Sequence, residues 1–349
     1  MKTTQRNTTP SSLTSTTTTK SFVKSSQVEQ SLLCGQQIFR YGVLHCTVVH
    51  YHTRINVSSV FYLCYYHFPS HHPPTHLLHI KRFIIIYHRD LSLWPADASS
   101  ATKDIFSSIL DKAQEGLLND DSELLVQHCM KLHSNGGGIV DIIVDNAGFE
   151  LITDLILGQY LIDSGIATTV RYQLKSHPTF VSDALEKDLL QHINYYAELG
   201  DDDLEGDENN NENLLYPNCK KSGLKWKQYI KEGKWICKEN NFWNQAYPMW
   251  KMTEPLRTEM KTNCNLAFVK GDANYRRLLG DCNWDFDTKF QDVVGCYFPC
   301  PVCALRTLKA EIGCGIPIEE TNRASKLDEN WQTNGRFGVI QFGTGAESK

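Results

Sequence analysis

Asp145 and Asn146 close an apolar run, Gly138-Ile139-Val140-Asp141-Ile142-Ile143-Val144, and Ala147-Gly148 then leads into a periodic stretch from Phe149. Side chains that resist burial, placed where a buried strand stops, suggest chemistry more than packing. A carboxylate beside an amide oxygen offers hard oxygen ligands of the kind Mg2+ or Mn2+ takes. Ala147-Gly148 allows a tight turn and close backbone approach, and the helix after it aims free N–H groups at the same spot, which suits a phosphate. For an isolated Asp-Asn pair, simple capping of that helix is the plainer reading. Two further stretches repeat the arrangement. "PTFVSDA" sets Asp183 after an extended segment and before a helix, and "AFVKGDANYRRL" sets Lys270, Asp272, Asn274 and Arg276 around Gly271 after an apolar strand. Acids and a lysine at three strand ends, each entering a helix, point to one shared crevice.

The elements that would position these residues follow from periodicity. Residues 104–118 and 122–133 have helical spacing, with Asp121 or Ser122 as N-cap of the second and "SNGGG" (134–138) ending it. A buried strand is expected over 139–145, a helix over 149–164, a strand over 167–175, and a short extended piece turning into a helix across "FVSDALEKDLLQHINYYAELG". "KWKQYIKEGKWICKE" reads as strand-like segments and 253–262 as a helix. "NLAFVKGDANYRRLLGD" reads as strand, turn and helix, "ALRTLKAEIGCG" as a strand, and "RFGVIQFG" (336–343) as the last strand. Strands alternating with helices imply a parallel sheet with crossover helices. The expected fold class is therefore α/β, a three-layer α/β/α Rossmann-like domain with a mostly parallel sheet.

Composition narrows the field. The chain has 349 residues, 41% hydrophobic and 21% charged, ordinary for a globular protein. No stretch of eighteen uninterrupted apolar residues occurs, so a membrane span is not expected. Residues 1–89 carry nine Lys/Arg and a single acid, Glu29, whereas the remainder carries 26 basic and 39 acidic residues. The acidic part is poorly suited to a phosphate backbone, so no nucleic-acid partner is expected. Residues 1–89, Ser/Thr-rich and then His- and Tyr-rich, read as a poorly ordered or misassigned leader, weakly like a transit peptide, without regular metal-ligand spacing among the histidines. Residues 90–349 read as the working domain, interrupted by the acidic, Asn-rich loop 200–215. The twelve cysteines form no framework and read as free thiols of a reducing compartment, cytoplasmic or also nuclear. Cys300-Pro-Val-Cys303 lacks the second pair of a zinc ribbon and reads as ordinary half-buried cysteines. Cys219, Cys237, Trp226, Trp235 and Trp243, around the acidic loop, read as core and rim packing.

Several phosphate-handling motifs are excluded. The glycine run 134–138 precedes its strand, whereas a P-loop or dinucleotide fingerprint follows one. Position 147 is Ala where an aspartyl-phosphate mechanism needs a second Asp, and no Gly-x-Ser-x-Gly elbow occurs.

The stretches "DNAGFEL", "PTFVSDA", "FVKGDANYRRLLGD", "ALRTLKAE" and "GVIQFG" resemble, in order, the DUF89 damage-control phosphatases, in particular the subgroup also called acidic-residue methyltransferase 1. The resemblance implies a divalent metal (Mn2+, Ni2+, Co2+ or Mg2+) and hydrolysis of small phosphorylated metabolites such as fructose 1-phosphate or fructose 6-phosphate. It implies metal ligands at Asp145, Asn146 and Asp183, and catalytic residues at Asp145, Asp183, Lys270 and Asp272. Substrate contacts are implied at Asp90, Ser92, Glu150, Asn274, Arg276, Arg306 and Lys309. One of Asp145, Asp183 or Asp272 would orient a water for in-line attack, while Lys270 and Lys309 offset phosphoryl charge. The family's helical N-terminal region is expected to be largely missing, since only Asp90-Leu91-Ser92 of its closing segment is matched. Two alternatives stand beside hydrolysis. One is S-adenosylmethionine-dependent methylation of protein glutamates, although no glycine-rich loop follows a first strand. The other is an inactive, truncated family member.

Overall fold

The computed structural model describes residues 115–200 and 215–346. The leader 1–89, Asp90, Ser92, most of the expected helix 104–118 and residues 201–214 of the acidic loop lie outside the described residues.

A seven-stranded sheet carries the architecture, in the order β1-β7-β6-β5-β2-β3-β4. The strands are β1 (Leu117–Asp120), β2 (Gly138–Ile143), β3 (Ala167–Leu174), β4 (Trp235–Glu239), β5 (Leu266–Lys270), β6 (Val302–Thr307) and β7 (Gly338–Gly343). β6, β5, β2, β3 and β4 are parallel. β7 runs antiparallel to β6 and parallel to β1, so two strands at one side are reversed. The helices are α1 (Ser122–Ser134), α2 (Phe149–Asp163), α3 (Glu186–Ala197), α4 (Leu215–Lys231), α5 (Glu254–Asn263), α6 (Asp272–Leu278) and α7 (Ile318–Leu327).

Side-chain alternation along the strands divides the interior into two cores. Val140, Ile142, Phe268 and Leu305 face a layer that contains Leu125 of α1, Leu155 of α2, Leu189 of α3 and Trp226 of α4. Ile143, Ala267, Val269 and Ala304 face the opposite layer, with Met260 of α5, Leu278 of α6 and Ala324 of α7. The described residues thus form three layers, α/β/α. None of their helices is long and apolar enough to cross a membrane.

Three expectations are corrected. Leu117 and Leu118, expected in a helix, belong to β1, which pairs with β7 and buries both leucines. Four residues are too few to separate the two periodicities. Lys225–Lys231, expected as strand-like, is the end of α4. Trp226 and Tyr229, three apart, face the core on a helix, and the Trp226 ring meets Tyr196 of α3 edge-on at 5.9 Å. Cys300 and Cys303 are fully buried rather than half-buried. Among the other packing residues, Trp226, Trp235, Trp243 and Cys219 lie in the core and Cys237 at its margin.

The chain runs from β2 outward to β3 and β4 and then returns to β5 on the other side of β2. The order therefore reverses between β2 and β5. Outside the carboxyl ends of these strands the two connections diverge, and that switch point is the usual ligand position of an open α/β sheet.

Candidate functional site

Two glycines shape the backbone at this switch point. Gly148 caps α2 with φ 75° and ψ −138°, and Gly271 caps α6 with φ 86° and ψ 159°. Both are backbone states that residues with a Cβ rarely adopt. At Gly271 the reason is direct: a Cβ there would stand 1.8 Å from Asp145 Oδ2. The turn after β5 thus lies against the carboxylate beyond β2.

Asp145 and Asp183 meet at one ammonium. Lys175 Nζ donates to Asp145 Oδ1 at 3.1 Å and to Asp183 Oδ1 at 2.5 Å, and also to the Asp145 carbonyl at 3.3 Å. All three residues are buried, with relative exposures of 4–5%. An isolated antiparallel bridge between Asn146 and Asp183 fastens the two segments together, and the amide of Ala184 donates to the Asp145 carbonyl. Asp183 Oδ2 accepts from the amides of Thr179 and Phe180 at 2.7 and 2.8 Å. Burial works to raise the Asp183 pKa, but Lys175 and these two amides outweigh it and hold the group below its ordinary value. Asp145 has no such pair of amides. Burial, then the Glu150 charge, push its carboxyl up to about 6 against the pull of Lys175. One ammonium serves two carboxylates, and Asp145 is left short of positive charge.

Asn146 completes this group. Its Nδ2 donates to Glu150 Oε2 at 3.0 Å and to Asp145 Oδ2 at 3.3 Å, while its Oδ1 accepts from Ser182 Oγ at 2.8 Å. A half-turn of the amide exchanges its ends, and a serine hydroxyl can serve either one. Lys270 lies on the opposite face of the sheet from Lys175 and points toward α2. Its Nζ lies 3.0 Å from Asp154 Oδ1 and 3.4 Å from Glu150 Oε1. Burial opposes its charge, but the Asp154 and Glu150 carboxylates raise its pKa on balance.

Asp145, Glu150, Asp154 and Asp183, linked through Lys175, Lys270 and Asn146, therefore form one network with twice as many carboxylates as ammonium groups. Two carboxylates and an amide, brought together by the loops that follow β2 and β3, are a donor set that fits a hard divalent cation. Among the described residues, no group of three or more His, Cys, Asp and Glu side chains is arranged around a common metal position.

The other expected residues are more dispersed. Asp272 accepts from Arg306 Nε at 2.7 Å and from the Lys309 amide at 3.3 Å. Arg306 is 1% exposed, gives its remaining donors to the carbonyls of Ile312 and Ala310, and stacks over Tyr275. The pair thus secures the loop that follows β6. Lys309 itself is exposed on that loop, with its pKa lowered by partial burial. Asn274 is buried and bonds the Lys270 carbonyl. Arg276 is exposed and pairs with Asp281, five residues on. Lys175, Asp154 and Ser182 were not anticipated. Lys175 directly follows a strand, much as Asp145 does, and Asp154 is a lone charged residue in the largely apolar "LITDLILG". Both signals were present in the sequence.

An open, mostly parallel α/β sheet with an acidic, lysine-bridged cluster at its switch point defines the class of protein. The sequence pattern of the damage-control phosphatase ARMT1-like domain matches residues 87–324. The damage-control phosphatase ARMT1 of Danio rerio is 34% identical over 263 residues, covering 72% of this chain and 54% of the relative. The Homo sapiens protein of that name is 34% identical over 262 residues, covering 72% and 55%. A crystal structure of a DUF89 family protein from Pyrococcus horikoshii aligns with TM-score 0.43 and 14% identity, over 84% of this chain and 72% of that one. The chain belongs to the damage-control phosphatase ARMT1-like family, and it spans about half the length of the curated relatives it matches.

Proposed function

We propose that this chain is a metal-dependent phosphatase acting on small sugar phosphates of the fructose 1-phosphate or fructose 6-phosphate type, in the control of damaged or reactive metabolites. One observation carries the reading: Asp145, Asn146 and Asp183 meet at the switch point of the sheet, in a network with too little positive charge of its own.

Asp145, Asn146 and Asp183 would hold the cation, with Asn146 turned so that its oxygen faces Asp145. When bound, Mn2+, Ni2+, Co2+ or Mg2+ supplies Lewis-acid chemistry, withdrawing charge from a phosphoryl oxygen. The protein's own groups do the rest. Asp183 is fixed by two backbone amides and keeps its charge, which suits it to ligation. Asp145, beside both the cation position and the turn at Gly271, would orient a water. Lys270, held by Asp154 and Glu150, and Lys309, exposed on the loop after β6, offset charge on the phosphoryl oxygens. Asp272 and Arg306 keep that loop in place.

The test is Asp145→Ala. Phosphate release from fructose 1-phosphate with added Mn2+ should fall at least about a hundredfold, as for loss of a group that orients the reacting atoms. An unchanged rate refutes the assignment. Calorimetric titration with S-adenosylmethionine separates this reading from methyl transfer: it predicts no heat with that cofactor.

A further inference from the structure

We propose that Lys175 is a positioning residue that holds the place of the divalent cation, its ammonium spanning Asp145 and Asp183 until a metal ion takes over. The proposal rests on the metal-dependent reading above and adds a residue which that reading does not use.

The argument starts from register. Ile143 of β2 pairs with Gln173 of β3, so Lys175 stands beside Asp145 two residues farther along both strands. Arg171, Gln173 and Lys175 alternate on one face of β3, as Asp141 and Asp145 do on β2. Lower in this ladder Arg171 closes on Asp141 with two bonds, 2.5 Å from Nε to Oδ1 and 2.8 Å from Nη2 to Oδ2, and Gln173 adds a third at 3.0 Å. That pair is fork to fork and complete. At the tip the geometry differs. Lys175 is a single point charge shared between two carboxylates that come from different loops. Without a cation between them, two buried carboxylates this close repel. A lysine answers that repulsion without satisfying the site, because it brings one charge for two and donates without a rigid fork. A divalent ion entering the gap competes with the ammonium for the same oxygens, Asp145 Oδ1 and Asp183 Oδ1.

Lys175→Met and Lys175→Gln test this in the full chain. Manganese binding is read by the resonance signal of free Mn2+, and thermal unfolding is followed with and without the ion. Both variants should unfold at lower temperature than the parent in the absence of metal. Both should bind Mn2+ at least about tenfold more tightly, a modest share of what a neighbouring unit charge is worth at such distances. Should the methionine variant not fold, the glutamine variant, which keeps a polar side chain at the position, gives the same comparison. A residue that merely braced the fold would lower the unfolding temperature with no gain in affinity. If the parent binds Mn2+ and the folded variants bind it no more tightly, the proposal is overturned while the metal reading stands. A parent that binds no divalent cation overturns both.

Discussion

Gly271→Ala probes the switch point where it is tightest. The new Cβ would lie 1.8 Å from Asp145 Oδ2, 2.5 Å from its Cγ and 2.8 Å from its Cβ. Ordinary non-bonded contact requires roughly 3.5 Å, so either the Asp145 side chain or the turn moves by well over an ångström. The backbone offers no relief, because φ of 86° with ψ of 159° is almost exclusive to glycine and costs another residue about 1–3 kcal/mol. For a folded unit of this size that corresponds to a fall in unfolding temperature of roughly 2–12 °C. Displacing Asp145 also breaks its bond to Lys175 and removes it from the proposed cation position. A misplacement of this kind costs about a hundredfold in rate. Thermal unfolding without metal gives the first quantity, and phosphate release from fructose 6-phosphate with Mn2+ gives the second. A Gly271→Ala protein that unfolds within a degree of the parent and hydrolyses at the parental rate would refute the close packing of these two turns.

Two further outcomes follow from groups outside the cation position. Asp154→Asn removes the nearer of two carboxylates beside the buried Lys270 ammonium, at 3.0 Å against 3.4 Å for Glu150. The expected loss is about 3 kcal/mol in urea unfolding, and a change below about 0.5 kcal/mol would mean that the pair is not formed. His128 is half-buried with Nε2 2.8 Å from the Asn265 carbonyl, and burial, with Lys131 adding to it, holds its pKa below 6.5. The folded state then favours the neutral ring, so stability present above pH 6.5 is lost as pH falls through that value toward the lower folded one. Between pH 7.5 and about 5.5 the parent should lose more unfolding temperature than His128→Asn, and equal losses would show that this ring does not contribute.

The buried polar residues on β2 and β3 also carry a stability argument. Asp141 is 0% exposed and Arg171 4%, so removing Arg171 leaves a buried carboxylate without its charged partner. The Trp243 indole reaches the same ladder through Gln173 at 3.2 Å, and α5 reaches it through Glu259. The ladder fixes the register of β3 against β2, and that register is what brings Lys175 beside Asp145.

The sequence by itself determined the strands at Gly138–Ile143, Ala167–Leu174 and Leu266–Lys270, the helices that follow them, and the acids just beyond the first and third; the extended segment expected before Asp183 is a turn, and Asp183 lies nine residues past its strand. These are local matters: an apolar β-branched run, a glycine at a turn and a charged residue just beyond it are legible within about ten residues of chain. It also determined the family, through motifs spread along most of its length. Only the tertiary structure decided that Lys175, not a solvent-facing strand end, stands between Asp145 and Asp183, and that Asp154 reaches across from α2 to Lys270. It likewise decided that Arg306 turns inward to Asp272 and that the last strand runs against its neighbour. Partner choice among buried charges depends on strand order and on which face each residue presents. A lysine and an aspartate thirty positions apart, as Lys175 and Asp145 are, or 116 apart, as Lys270 and Asp154 are, carry no mark of pairing until the sheet places them side by side.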